Sequence, residues 1–258
     1  MKKLTILKVM VFIVIVLFFY VILKIPSERI YKINILGATK NNALVEDFNN
    51  KLNENYWNTV EQGNNYNNEL QYYRPDNLNV NNGFLEIEAK KENFENHQYT
   101  SGQITTKGKF EFLYGKIIFK TKPVSGQGLL SAVWLLPADD SLLPEIDIIE
   151  VLGNKSDQMW TGVHYLDSTS KKRSNFVNYM SNRDFSTYEL DWEKDEIRCY
   201  VNNQLIFQST VDVPNKKMYL IIDLAVGGDW PKNPDDSIFP TKFLIDYIII
   251  IPKELDTP

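Results

Sequence analysis

The chain is too poor in sulfur and imidazole for several classes of protein. Cys199 is the single cysteine among 258 residues, so no intrachain disulfide can form and no Cys/His zinc spacing exists. Its setting, Ile197-Arg198-Cys199-Tyr200-Val201, reads as a strand carrying a buried, inert thiol. Basic residues are in deficit: 28 Lys and Arg against 33 Asp and Glu give a net charge of −5. That excludes a nucleic-acid footprint and argues against a strongly anionic polymer as partner. No long amphipathic helix, internal repeat or EF-hand loop is visible.

One apolar run exists, and it is short. Lys2, Lys3 and Lys8 precede the uncharged stretch Val9–Leu23, which Lys24 closes. A spanning helix needs about 20 residues, so the run fits the hydrophobic region of a signal segment. No small-x-small cleavage site follows at once, and Leu36-Gly37-Ala38 is a distant, poor candidate. The expectation is an uncleaved signal anchor over 1–24, lysines inside and the domain on the extracellular face. A cleaved, secreted form is the alternative. Residues 25–42 read as a tether and 43–258 as one domain.

Aromatics make up 13% of the chain, enough for a large core and for sugar-stacking surfaces. From Leu44 onward the pattern is β. Phe84–Ala89, Gly115–Lys120, Tyr188–Trp192 and Phe243–Ile248 alternate or are β-branched. Asn81-Asn82-Gly83, Ser125–Gly128 and Pro214-Asn215 punctuate them, and Asn202-Asn203 predicts a tight hairpin. The fold class expected is all-β, a two-sheet antiparallel β-sandwich of jelly-roll type. The Asn-rich stretch 53–68 reads as a polar surface loop.

The chemistry-bearing stretch is Pro144-Glu145-Ile146-Asp147-Ile148-Ile149-Glu150-Val151. Alternate strand residues share a face, which pairs Glu145 with Asp147 but sends Glu150 to the other side. One inserted residue at Ile148-Ile149, a β-bulge, would bring Glu150 back. Three acids on one face with no interleaved Lys or Arg repel one another. That disfavours a plain solvated strand and raises a neighbour's pKa. Retaining glycoside hydrolysis needs two carboxyl groups ~5–5.5 Å apart, one as nucleophile and one as acid/base.

The stretch resembles the signature of glycoside hydrolase family 16 in its bulged, laminarinase-like form. The resemblance continues through Asn67–Arg74, Tyr99–Phe110, Gly126–Trp134, Gly162–Tyr165, Tyr188–Trp192 and Leu224–Pro231, covering roughly 44–250. It implies a concanavalin-like jelly roll with a concave cleft, Glu145 as nucleophile, Asp147 as its assistant and Glu150 as acid/base. It implies substrate contacts at Trp134, Trp230, His164, Asn67, Glu69 and Arg74. It implies no catalytic cofactor, and a structural calcium at Asp246. Trp160 and Trp192 read as structural, Trp57 as core or sheet edge, and His97 is given no role. Pro144 stands where the family usually has Gly, and Gly102-Gln103 where many relatives have Ala-Arg. The Pro137–Leu143 loop is also short.

The implied activity is endo-acting hydrolysis of β-1,3-glucan by a monomer that touches the membrane only through its N-terminus. The alternatives are mixed-linkage glucan, a galactan, transglycosylation, or a non-catalytic carbohydrate-binding sandwich.

Overall fold

The computed structural model describes residues 42–180 and 184–253. The expected anchor at 1–24 and nearly all of the tether lie outside the described residues. No helix among the described residues is long and apolar enough to cross a membrane.

Strands β1 (Leu44–Glu46), β2 (Asn58–Thr59), β3 (Gln71–Tyr73), β4 (Leu78–Asn81), β5 (Phe84–Ala89), β6 (Tyr99–Ser101) and β7 (Gln103–Thr105) form the first half. Then come β8 (Gly115–Lys122), β9 (Leu129–Pro137), β10 (Glu145–Leu152), β11 (Gln158–Leu166) and β12 (Lys172–Met180). The chain closes with β13 (Ser186–Trp192), β14 (Ile197–Val201), β15 (Gln204–Ser209), β16 (Met218–Val226) and β17 (Thr241–Pro252). Three short 3-10 turns interrupt them, at Pro75–Asn77, Gly153–Lys155 and Asp236–Ile238.

Two antiparallel sheets result. One runs β15-β14-β13-β8-β17-β5-β4, with β1 also on β17; the other runs β12-β11-β10-β9-β16-β7-β2. The small β3–β6 pair is parallel, a departure from the antiparallel expectation. The Asn-rich stretch is not only a loop, since β2 pairs with β7 and Trp57 is buried.

Period-two alternation makes the first sheet two-faced. Tyr188, Leu190 and Trp192 turn inward while Thr187, Glu189 and Asp191 turn out. Ile117 and Phe119 on β8 and Leu85 and Ile87 on β5 join them. From the other sheet Ile146, Val163, Leu220 and Ile222 meet this layer in one core. Each such side chain contributes roughly 1.5–3 kcal/mol by leaving water. Trp192, fully buried, donates its indole N–H to Pro214 O at 2.9 Å. The Asn202-Asn203 hairpin forms as expected, with φ of 48° and 67°; asparagine tolerates that left-handed pair.

Candidate active site

β10 lies between β9 and β11 and carries the three acids. Glu145 pairs with His164, Asp147 with Gly162 and Trp134, and Glu150 with Trp160 and Ala132. The register slips against both neighbours after Asp147. Ile148 and Ile149 therefore both enter the core, and Glu150 returns to the face of Glu145 and Asp147. Keeping either isoleucine in water would forgo roughly 1.5–3 kcal/mol, so the backbone yields at this point. All three acids line a cleft of about 590 Å³.

Burial sets their electrostatics. Glu150 is pushed up to about 8, first by burial, then by the charges of Glu145 and Asp223, against a lowering by Lys172. Asp147, 1% exposed, is held well above the usual aspartate range by burial and by Glu150 and Glu145 on either side. Glu145 is raised by burial, but a hydrogen bond from Asp147 favours its charged form. The acid that keeps its proton thus sits beside the one best able to lose it. Asp147 Oδ2 accepts no hydrogen bond; it faces His164 Nε2 at 3.4 Å. His164 has its pKa lowered to about 4 by burial and by Lys172, and its Nδ1 lies against Ser174 Oγ. Glu145, Asp147 and His164 offer ligating atoms within 4.8 Å of one another.

A second acidic group lines the same cleft: Asp223, unforeseen from sequence, and Glu69. Asp223 on β16 accepts from Trp134 Nε1 at 2.7 Å and from the Tyr73 hydroxyl at 3.0 Å. Burial raises it to about 6. Glu69 is raised to about 7 by burial and by Asp223, and accepts from Gln71 Nε2 at 2.9 Å. One signal was available: Asp223 is the lone charge in the nine-residue strand Met218–Val226, otherwise apolar apart from the tyrosine hydroxyl.

Loops wall the cleft. Asn67 and Glu69 line it, together with Asn64, Asn65 and Tyr66. This segment is stitched to the turn after β16. Asp229 N donates to Asn67 O at 2.8 Å, and Asn68 Nδ2 reaches the Asp229 carboxylate at 3.1 Å. Gly228 permits the approach: its φ is +98°, and a Cβ there would stand 2.6 Å from Asn67 O. Opposite, Asp140, Ser141 and Leu142 line the cleft, held by Lys107 on Asp140 and by Lys216 on Asp139 at 2.8 Å.

Trp134 lines the cleft, but its N–H is engaged by Asp223, so the ring face and not the donor is offered to a ligand. Trp230 is 37% exposed and meets Trp160 edge-on at 5.2 Å. Trp160 pairs with Glu150 in the β10–β11 register and packs against Leu130, Leu152 and Ala225. Arg74 is a correction. Its guanidinium lies over the Phe94 ring at 3.9 Å and pairs with Asp76 and Glu92 at 2.5 and 3.6 Å, away from the cleft lining. Those three partners satisfy it, and Tyr73 points inward in its place. His97 Nδ1 lies 3.1 Å from Leu70 O, a loop prop. Asp246, at a register shift of β17, faces Lys120 Nζ at 3.5 Å. That ammonium balances its charge, and Asp246 belongs to no cluster of three ligating side chains among the described residues. With one carboxylate there, a calcium ion, which takes 6–8 oxygen ligands, would draw the rest from backbone carbonyls and water.

Residues 63–248 match the model of "Glycosyl hydrolases family 16". A β-glucanase of Rhodothermus marinus is 31% identical over 214 residues, covering 70% of this chain and 73% of that protein. The laminarinase catalytic domain of Thermotoga maritima MSB8 superposes with a TM-score of 0.74 at 32% identity, covering 82% of this chain and 98% of that one. The laminarinase of Flavobacterium sp. UMI-01 gives 0.73 at 33% identity, covering 81% and 98%.

Proposed function

Since the chain belongs to glycosyl hydrolases family 16 and is an endo-acting β-glucan hydrolase, we propose that it cleaves β-1,3-glucan with retention, with Glu145 as nucleophile and Glu150 as acid/base. The observation that carries this assignment is the register slip in β10, which puts both glutamates in one cleft.

Glu150, protonated up to about pH 8, gives its proton to the glycosidic oxygen. The Glu145 carboxylate attacks the anomeric carbon as the C–O bond breaks, leaving a glycosyl ester and a free chain end. Asp147 donates a hydrogen bond to Glu145 and holds its orientation. Esterification removes the Glu145 charge that helped raise Glu150, so Glu150 becomes a stronger acid. As its carboxylate it then takes a proton from water, which attacks from the opposite side. Two displacements restore the anomeric configuration. The faces of Trp134, Trp160 and Trp230 suit sugar C–H surfaces, and Asn67 and Glu69 suit hydroxyls.

The test is product analysis on laminarin, lichenan and agarose, with the anomer read by NMR. Laminarin is expected to give β-configured oligosaccharides first. Exclusive cleavage of lichenan or agarose would move the linkage; α-configured first products would remove the double displacement.

The proposal places the domain on the extracellular face as a monomer, tethered through Val9–Leu23. The three lysines before that run and the polymeric substrate support it. Fractionation of cells making the full chain tests it: the domain should be in the membrane fraction and open to external protease. A free form in the medium would mean cleavage.

A further inference from the structure

We infer that Glu145, Asp147 and His164 form a binding site for a divalent transition cation of the Zn²⁺ type, and that an ion held there stops hydrolysis by occupying the nucleophile. The three side chains present two carboxylate oxygens and one imidazole nitrogen within 4.8 Å of one another. His164 Nε2 and Asp147 Oδ2 are 3.4 Å apart. Tetrahedral bonds of about 2.1 Å place ligand atoms roughly 3.4 Å apart, so the pair already has the bite of two zinc ligands.

A second observation points to a ligand. Asp147 is 1% exposed, yet its Oδ2 has no hydrogen-bond partner. A buried acceptor without a donor is costly, and this one is aimed at the imidazole edge. Ser174 lies on the other nitrogen, Nδ1. Such a contact fixes the ring and leaves Nε2 toward the acids, the usual outer-shell arrangement of a metal-bound histidine. Glu145 opens onto the cleft, which leaves a fourth position for water. The mixed N/O donor set suits zinc or copper and not the harder magnesium or calcium.

Calorimetric titration of the full chain, without a histidine tag, with ZnCl₂ tests this. One equivalent is expected to bind at micromolar affinity, and MgCl₂ under the same conditions is not. His164→Ala should weaken zinc binding about 10–100-fold, and Ser174→Ala by several-fold. His97→Ala, which changes the only other histidine, should leave it unchanged. Zinc should inhibit laminarin cleavage with a constant equal to its dissociation constant. Absence of saturable binding, or unchanged affinity in His164→Ala, would overturn the site. Loss of binding in His97→Ala would overturn it too. Binding does not depend on the hydrolase reading. A chain that binds zinc as described but cuts no glucan would remove the proposed reaction and leave the metal site standing.

Discussion

Strands β10 and β13 carry carboxylates at alternate positions, and the two strands use them in opposite ways. On β13, Lys116 pairs with Glu189 and lies 3.7 Å from Asp191, which Arg198 also meets at 2.9 Å. Nearby, Lys242 holds Glu86 at 2.7 Å. That face is a lattice of cross-strand ion pairs. On β10, no lysine or arginine among the described residues forms an ion pair with Glu145, Asp147 or Glu150. Carboxyls stripped of water hold their protons, and the more distant charge of Lys172 only partly offsets this. The contrast shows that an acid's role here follows from its cross-strand partners and not from its own spacing.

The contrast is sharpest in activity. Glu150→Gln is expected to lower kcat/KM by about 10²–10⁴-fold, and Glu145→Gln by at least as much, with Asp147→Asn milder. Glu189→Gln should leave it unchanged. Near-normal turnover in either β10 glutamine variant would remove that residue from the chemistry. Next comes pH. Activity should fall as pH rises through about 8, where Glu150 loses its proton. Stability should fall over a wider range. Asp223, Glu69 and Glu150 titrate near 6, 7 and 8 when folded, against about 4 when unfolded. The folded chain therefore binds extra protons between those limits. Their stabilisation is complete below about pH 4 and disappears as pH rises through 6 to 8. A Tm that climbs from pH 5 to 9 would contradict these shifts.

Smaller effects belong to single contacts. Trp134→Phe takes a donor from buried Asp223 and should lower unfolding stability by about 1–3 kcal/mol in urea melts. Lys242→Met on the ion-paired face should change it by no more than about 1 kcal/mol.

Much of this could be read from the chain itself. Period-two alternation located the sandwich strands, and the parity conflict between Glu145 and Glu150 called for the bulge found at Ile148-Ile149. What escaped was pairing across space. Arg74 could not be kept from the cleft without knowing that Phe94 and Glu92 fold against it. Only the β10–β11 register puts Trp160 beside Glu150. Asp223 was visible as a lone charge in an apolar strand, but its meaning came from Tyr73 and Trp134, 150 and 89 residues away in sequence.

The two glutamates sit on one strand that is hydrogen-bonded along both edges, while the flanking loops are fastened separately. Distance between the reacting groups is thus insulated from whatever the rim does. Exchanging the Asn64–Asn67 or Asp139–Leu142 segments offers a route to new polymer preferences in which the interval between the two carboxyls never has to be rebuilt.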